Sequence, residues 1–238
     1  MSFAASRLHF TVNRWMGGHA LAGFIALALA NGSLAETPDP TVTDADAPQD
    51  LASALEPGLK PIWQAGFGEG FRTSVQTLTL EAGAAYGPAM MGSQEKHHLA
   101  LLSLAYGHMI GPVLGENHWY RGNFELRLEL FGGVQFYPEL DWLVGLTPHA
   151  RYHFATGTRW IPFLDAGLGV SLTGIGSPDL GSVLEFNLQG GLGAQYYLRD
   201  NLALTFEGRY IHISNAGLSD DNYGLNALMG MMGVTFFF

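Results

Sequence analysis

Residues 201–214 read NLALTFEGRYIHIS, and their period is two. Leu202, Leu204, Phe206 and Tyr210 fall on one face, with Thr205, Glu207 and Arg209 on the other. An extended strand sorts side chains in this way automatically, whereas a helix of 3.6 residues per turn would scatter them. The pattern recurs upstream. Phe124, Leu126, Leu128 and Leu130 alternate with Glu125, Arg127 and Glu129, and Leu164, Ala166, Leu168 and Val170 with Asp165, Gly167, Gly169 and Ser171. Leu184, Phe186 and Leu188 alternate with Glu185, Asn187 and Gln189.

Alternation alone does not say which face meets solvent. A soluble barrel turns its apolar face inward and its charges out. The charge count decides against that: residues 61–238 hold only 23 charged side chains, too few to coat a soluble surface. The chain is 47% hydrophobic and 13% charged, with a mean hydropathy of +0.13 and 32 glycines. Beyond the first 35 residues no apolar run is long enough for a membrane helix. An all-β, eight-stranded antiparallel transmembrane β-barrel of the outer membrane reconciles these facts, since its apolar residues are spread one in two. The polar face mixes carboxylates with arginines, as a small lumen filled by ion pairs requires.

The expected strands are 74–86, 97–110, 122–136, 141–155, 160–174, 183–198, 201–215 and 224–238. Trp119, Tyr120, Trp142, Trp160, Tyr196, Tyr197 and Tyr223 fall toward strand ends, as interfacial girdles do. Eight strands enclose a lumen that side chains fill, which excludes a porin. The chain ends Val234-Thr235-Phe236-Phe237-Phe238, similar to the aromatic signature by which bacterial barrels are recognised for assembly. Phe238 is therefore the expected contact with the barrel-assembly machinery. A homodimer stays open.

Three segments follow. Residues 1–35 lack acidic residues, carry Arg7 and Arg14, and run apolar from Ala20 to Ala30. Ser33 and Ala35 supply small residues before a cut, the layout of a cleaved secretory signal. Residues 36–60 hold six acidic residues, one lysine and four prolines, and read as a solvated leader. Residues 61–238 form the barrel domain. Export without a single cysteine suits a bacterial envelope protein stabilised by barrel closure. With 11 basic against 21 acidic residues the net charge is −10, the wrong sign for nucleic acid.

Chemistry concentrates in residues 209–217, RYIHISNAG. His212 and Ser214 lie two apart on the seventh strand, so they share a face. Parity with Leu204, Phe206 and Tyr210 turns that face to lipid. With the N-terminus of the barrel on the periplasmic side, the end of strand seven is at the cell surface. A histidine beside a serine supplies a base for a hydroxyl nucleophile. At headgroup height that pair suits attack on a lipid ester. An interfacial band of polar side chains is the bland reading of the same spacing.

The longer string His212-Ile-Ser-Asn-Ala-Gly217, followed by Asn222-Tyr223-Gly224-Leu225-Asn226, resembles the PagL-type lipid A 3-O-deacylases (acyloxyacyl hydrolases). Their motif is approximately H-x-S-N-A-G, a short loop, then N-x-G. The local match covers residues 207–226, and the layout matches over 61–238. The resemblance implies an outer-membrane esterase that removes the 3-O-linked acyl chain of lipid A in lipopolysaccharide, without a cofactor or metal. It makes His212 the general base and Ser214 the nucleophile, and puts Asn215, Gly217 and Asn222 around the oxyanion region.

One position departs. Family members carry a glutamate two residues after the glycine of N-x-G, orienting the histidine, where this chain has Asn226. Parity places Asn226 on the lipid-facing side of strand eight, near His212. An asparagine carbonyl can hold an imidazole tautomer but cannot stabilise the imidazolium by charge. On that ground Asn226→Glu is expected to raise the rate. The competing function is a non-catalytic small barrel with structural or adhesive work.

Other features read as structural. Asp220 and Asp221 suit loop solvation. His97-His98 point to opposite faces of a strand, and His149 and His153 lack a carboxylate at ligand spacing, so none forms a metal site. Gly66, Gly68 and Gly70 lack the strand-then-helix context of a nucleotide loop. Glu207 and Arg209 suit lumen packing.

Overall fold

The computed structural model describes residue 71 and residues 73–238. The signal, the acidic leader, the first part of the proposed barrel domain and the Gly66–Gly70 glycines lie outside the described residues. Eight strands follow in order: β1 (Gln76–Gly87), β2 (His97–Leu114), β3 (Gly122–Tyr137), β4 (Asp141–Phe154), β5 (Trp160–Thr173), β6 (Leu184–Arg199), β7 (Leu202–Ser214) and β8 (Leu225–Phe237). Each pairs antiparallel with the next, and β8 pairs back onto β1. The closed sheet leaves no open edge, which is what hydrocarbon demands of a β structure.

The expected strands and the observed ones differ mainly at β2, which runs on to Leu114 rather than ending near 110. The extra residues follow a register break between Ile110 and Leu114. Gly111 takes a positive φ of 71° there, and the broken alternation hides the continuation from a period-two reading.

The barrel is inside-out. Along β3, Leu126, Leu128 and Leu130 are 49–54% exposed on the outer wall, while Glu125, Arg127 and Glu129 between them are at most 3% exposed. The interior charges neutralise one another. Arg151 Nε donates to Asp165 at 2.7 Å and its Nη2 to Glu207 at 2.5 Å. Arg209 Nη1 donates to Glu129 at 2.7 Å and its Nε to Glu207 at 2.8 Å. The Arg151 guanidinium also lies 3.7 Å from the centre of the Phe163 ring.

His149 and His153 do have carboxylate neighbours, from other strands. His149 Nδ1 lies 2.5 Å from Asp165 and its Nε2 3.1 Å from Glu129, while His153 Nε2 lies 2.7 Å from Glu125. Those partners are 16 to 28 residues away in sequence, beyond any local spacing rule.

Apolar layers seal both ends of this polar core. At the end where β1 begins and β8 finishes, Phe71, Met109, Ile161, Tyr197, Ala203 and Phe237 pack together. At the opposite end Leu99, Leu143, Ile211, Ile213 and Leu225 meet Ile175 and Leu180. The last two belong to the β5–β6 loop, which dips into the barrel mouth. The longer loops, 88–96, 174–183 and 215–224, all lie at this end.

Candidate active site

The site is built where β7 and β8 diverge toward the 215–224 loop. His212 and Asn226 are directly opposite each other in the β7–β8 register. Residues paired across antiparallel strands bring their side chains within reach. His212 Nδ1 and Asn226 Oδ1 are 2.8 Å apart. The Tyr210 hydroxyl, two residues before His212 on the same face, donates to the same Asn226 oxygen.

Ser214 sits beside His212 on the outer wall. The two line one groove of about 340 Å³ with Leu168, Phe186, Leu188 and Ala216. Register explains the lining: Leu188 faces His212, Phe186 faces Ser214, and Leu168 faces Leu188. An imidazole and a hydroxyl are thus set into an apolar wall three strands wide. His212 and Ser214 share this groove without a hydrogen bond between them among the described contacts.

Asn215, Gly217 and Asn222 build the loop. The Asn215 N–H donates to Asn222 Oδ1 at 2.9 Å. Asn215 Oδ1 accepts the N–H groups of Gly217 and Leu218 at 2.9 and 3.1 Å. Its Nδ2 donates to Ser219 Oγ at 2.6 Å and to the Asp221 carbonyl at 3.0 Å. The Asn215 N–H and Nδ2 and the Gly217 N–H are thus engaged within the loop itself. Ala216 and Gly217 turn the chain with φ of 55° and 83°. Gly224 is required twice over: its φ is +82°, and a Cβ there would lie 2.8 Å from His212 Cε1. Asp221 accepts from Ser177 Oγ at 2.5 Å, tying the loop to 174–183, and Asp220 is exposed.

The family model for lipid A 3-O-deacylase (PagL) matches residues 98–235, more than half of the chain and all of β3 to β7. The chain belongs to the lipid A 3-O-deacylase (PagL) family. With its inside-out barrel, it is an outer-membrane ester hydrolase of the lipid A-deacylating class. Among solved structures, the outer membrane enzyme PagL is 21% identical, with a TM-score of 0.49 over 67% of this chain and 98% of that one. Neisserial surface protein A is 19% identical, with a TM-score of 0.49 over 69% and 97%. The N-terminal β-barrel domain of Pseudomonas aeruginosa OprF is 22% identical, with a TM-score of 0.41 over 70% and 98%. No curated protein matches the chain significantly.

Set against the family pattern, the geometry adds two residues that sequence reasoning passed over. Tyr210 could have been found by parity, since it precedes His212 by two on one strand face. Ser93 could not. It lies in the β1–β2 loop, 133 residues from Asn226, and accepts from Asn226 Nδ2 at 2.9 Å. Among the other histidines, His97 turns inward to Asp179 at 2.8 Å, while His98 stacks outward against Tyr86 and Tyr137.

Proposed function

We propose that this chain removes the 3-O-linked acyl chain of lipid A, using His212 as general base and Ser214 as nucleophile from the outer wall of β7. The observation that carries the reading is the placement of both side chains in one apolar groove on the lipid-facing wall, with Asn226 against the imidazole. Polar groups on that wall are costly in hydrocarbon, which favours a working role over an ornamental one.

In this mechanism His212 Nδ1 donates its proton to Asn226 Oδ1, so Nε2 carries the lone pair. Nε2 takes the Ser214 proton as Oγ attacks the ester carbonyl. The tetrahedral oxyanion collapses, and the imidazolium returns the proton to the departing sugar 3-hydroxyl. Water, deprotonated by the same nitrogen, then releases the fatty acid from the acyl-serine. With the Asn215 and Gly217 donors spent in the loop, the oxyanion is left to the backbone that borders the groove at Ala216. Leu168, Phe186 and Leu188 offer the acyl chain an apolar bed beside the nucleophile.

The cell-surface orientation follows from the loop lengths, since outer-membrane barrels carry their longer loops outside. Within the closed barrel the Phe238 backbone exchanges hydrogen bonds with Gln76 at 2.8 and 3.0 Å. Recognition of Phe238 by the assembly machinery therefore belongs to the stage before β8 closes on β1.

Mass spectrometry of lipid A from a Gram-negative host expressing the chain tests the reading. Loss of one 3-O-linked hydroxyacyl mass is expected with the wild type and not with Ser214→Ala. Unmodified lipid A in both, from a folded barrel, would overturn it.

A further inference from the structure

Asn226 is only 3% exposed, although its strand parity points it at lipid. The β1–β2 loop covers it. Asn226 Nδ2 donates to Ser93 Oγ at 2.9 Å and meets the carbonyls of Met90 and Met91 at 3.3 and 3.5 Å. Ser93, 6% exposed, in turn donates its hydroxyl proton to the Gly224 carbonyl at 2.6 Å and accepts the Asn226 backbone N–H at 3.2 Å.

This surround decides which way the amide points. Carbonyls only accept, so the nitrogen end of Asn226 must face Met90 and Met91, and the oxygen end must face His212. An oxygen acceptor at 2.8 Å obliges His212 Nδ1 to carry a proton. Its Nε2 is left as the free acceptor. The loop is itself anchored. Asp179, fully buried, accepts the N–H groups of Gln94 and Glu95 at 2.6 and 2.9 Å, and its own carbonyl accepts the Gly224 N–H at 2.9 Å.

We infer that Ser93, with the carbonyls of Met90 and Met91, is a positioning site that fixes the Asn226 amide and thereby holds His212 in the Nδ1–H tautomer. This rests on the reading of His212 as general base. It also recasts the departure from the family pattern. A carboxylate at 226 would bring a second oxygen against two carbonyls with no proton to offer, while the Ser93 proton is committed to Gly224. The loop of this chain is fitted to an amide, and asparagine is the working residue.

The test is ¹⁵N NMR of the full chain, labelled on its histidines, in detergent or nanodiscs, with His212 assigned by its loss in His212→Asn. In the wild type Nε2 is expected unprotonated and Nδ1 protonated. Ser93→Ala should mix the tautomers and lower kcat about ten-fold with KM little changed, and Ser93→Thr should restore both. Asn226→Asp, close in shape, should also lower kcat. An Nε2–H tautomer in the wild type, a Ser93→Ala protein unchanged in tautomer and kcat, or a faster Asn226→Asp would each overturn the inference. Should Ser93→Ala fail to fold, the wild-type tautomer and the Asn226→Asp rate still decide it. Activity surviving in Ser214→Ala would instead overturn the catalytic reading, and the tautomer measurement would stand apart from that result.

Discussion

His212 on β7 and Asn226 on β8 face each other across a single antiparallel pair, their Nδ1 and Oδ1 atoms 2.8 Å apart. Strand register sets the two residues opposite each other, and the β1–β2 loop sets which end of the amide meets the imidazole. The base of the proposed esterase is therefore mounted on the rigid wall, while its orienting partner is held from outside by the β1–β2 loop.

Ser214→Ala should leave a heat-modifiable barrel in the membrane and abolish deacylation. His212→Asn should behave alike, because removing either member of a working pair disables the same step. Gel mobility with and without heating reports the fold, and lipid A mass spectra report the activity. Near-wild-type deacylation in either variant would remove that residue from its role.

At position 226 the inferred fit of the β1–β2 loop to an amide argues for the opposite of the expectation drawn from sequence. Asn226→Glu should lower the deacylation rate, because the added carboxylate meets the Met90 and Met91 carbonyls unpaired. Asn226→Leu should lower it too, by roughly 10-fold or more, by freeing the imidazole to rotate. A Glu variant faster than wild type would show that charge at this position outweighs the fit of the loop.

Gly224→Ala places a Cβ 2.8 Å from His212 Cε1 on a backbone with φ of +82°. The strain alone costs about 1 kcal/mol, and the contact pushes the ring from its place. Gly217→Ala has the same φ problem, at +83°, with nothing within 4 Å of the added carbon. Both should lower the unfolding temperature, and Gly224→Ala should lower kcat far more. Equal kcat losses would show that the imidazole contact is unimportant.

Arg151→Met should be the most damaging of these changes to the fold. It leaves Asp165 and Glu207 short of a buried partner, each 5% exposed or less. Breaking a buried pair from one side costs about 3–5 kcal/mol. Thermal conversion to the heat-modified form should occur at a clearly lower temperature than in Leu128→Ala on the outer wall. Similar midpoints for the two would contradict the role given to the interior charges.

The absence of cysteine makes the wall directly readable. A cysteine at Phe206, 38% exposed, should react with a lipid-soluble maleimide, and one at Thr205, fully buried, should not. The opposite labelling would turn the barrel right-side out and remove the membrane-substrate argument.

Period-two alternation was enough to place all eight strands within a few residues, because in a barrel wall every inward residue meets the polar core and every outward one meets lipid. It failed at β2 after Ile110, where a register break interrupts the rhythm. It also missed the apolar seal at each end, since Ile211 and Ile213 point inward beside Tyr210 and His212, which point out. There the two faces are equally apolar and the pattern carries no direction.

The sequence by itself determined the fold class, the inside-out wall and the neighbourhood of His212 and Ser214. Each depends on residues two apart on one strand, and strand geometry fixes where those go. Only the tertiary structure decided what surrounds them: Asp165 and Glu129 on His149, Asp179 under the β1–β2 loop, and Ser93 on Asn226. Those contacts join segments 16 to 133 residues apart, brought together by barrel closure and loop docking. A hydrogen-bond partner chosen by closure leaves no local pattern in the chain. Residue 226 therefore reads as a lost glutamate in the sequence and as a fitted amide in the folded barrel.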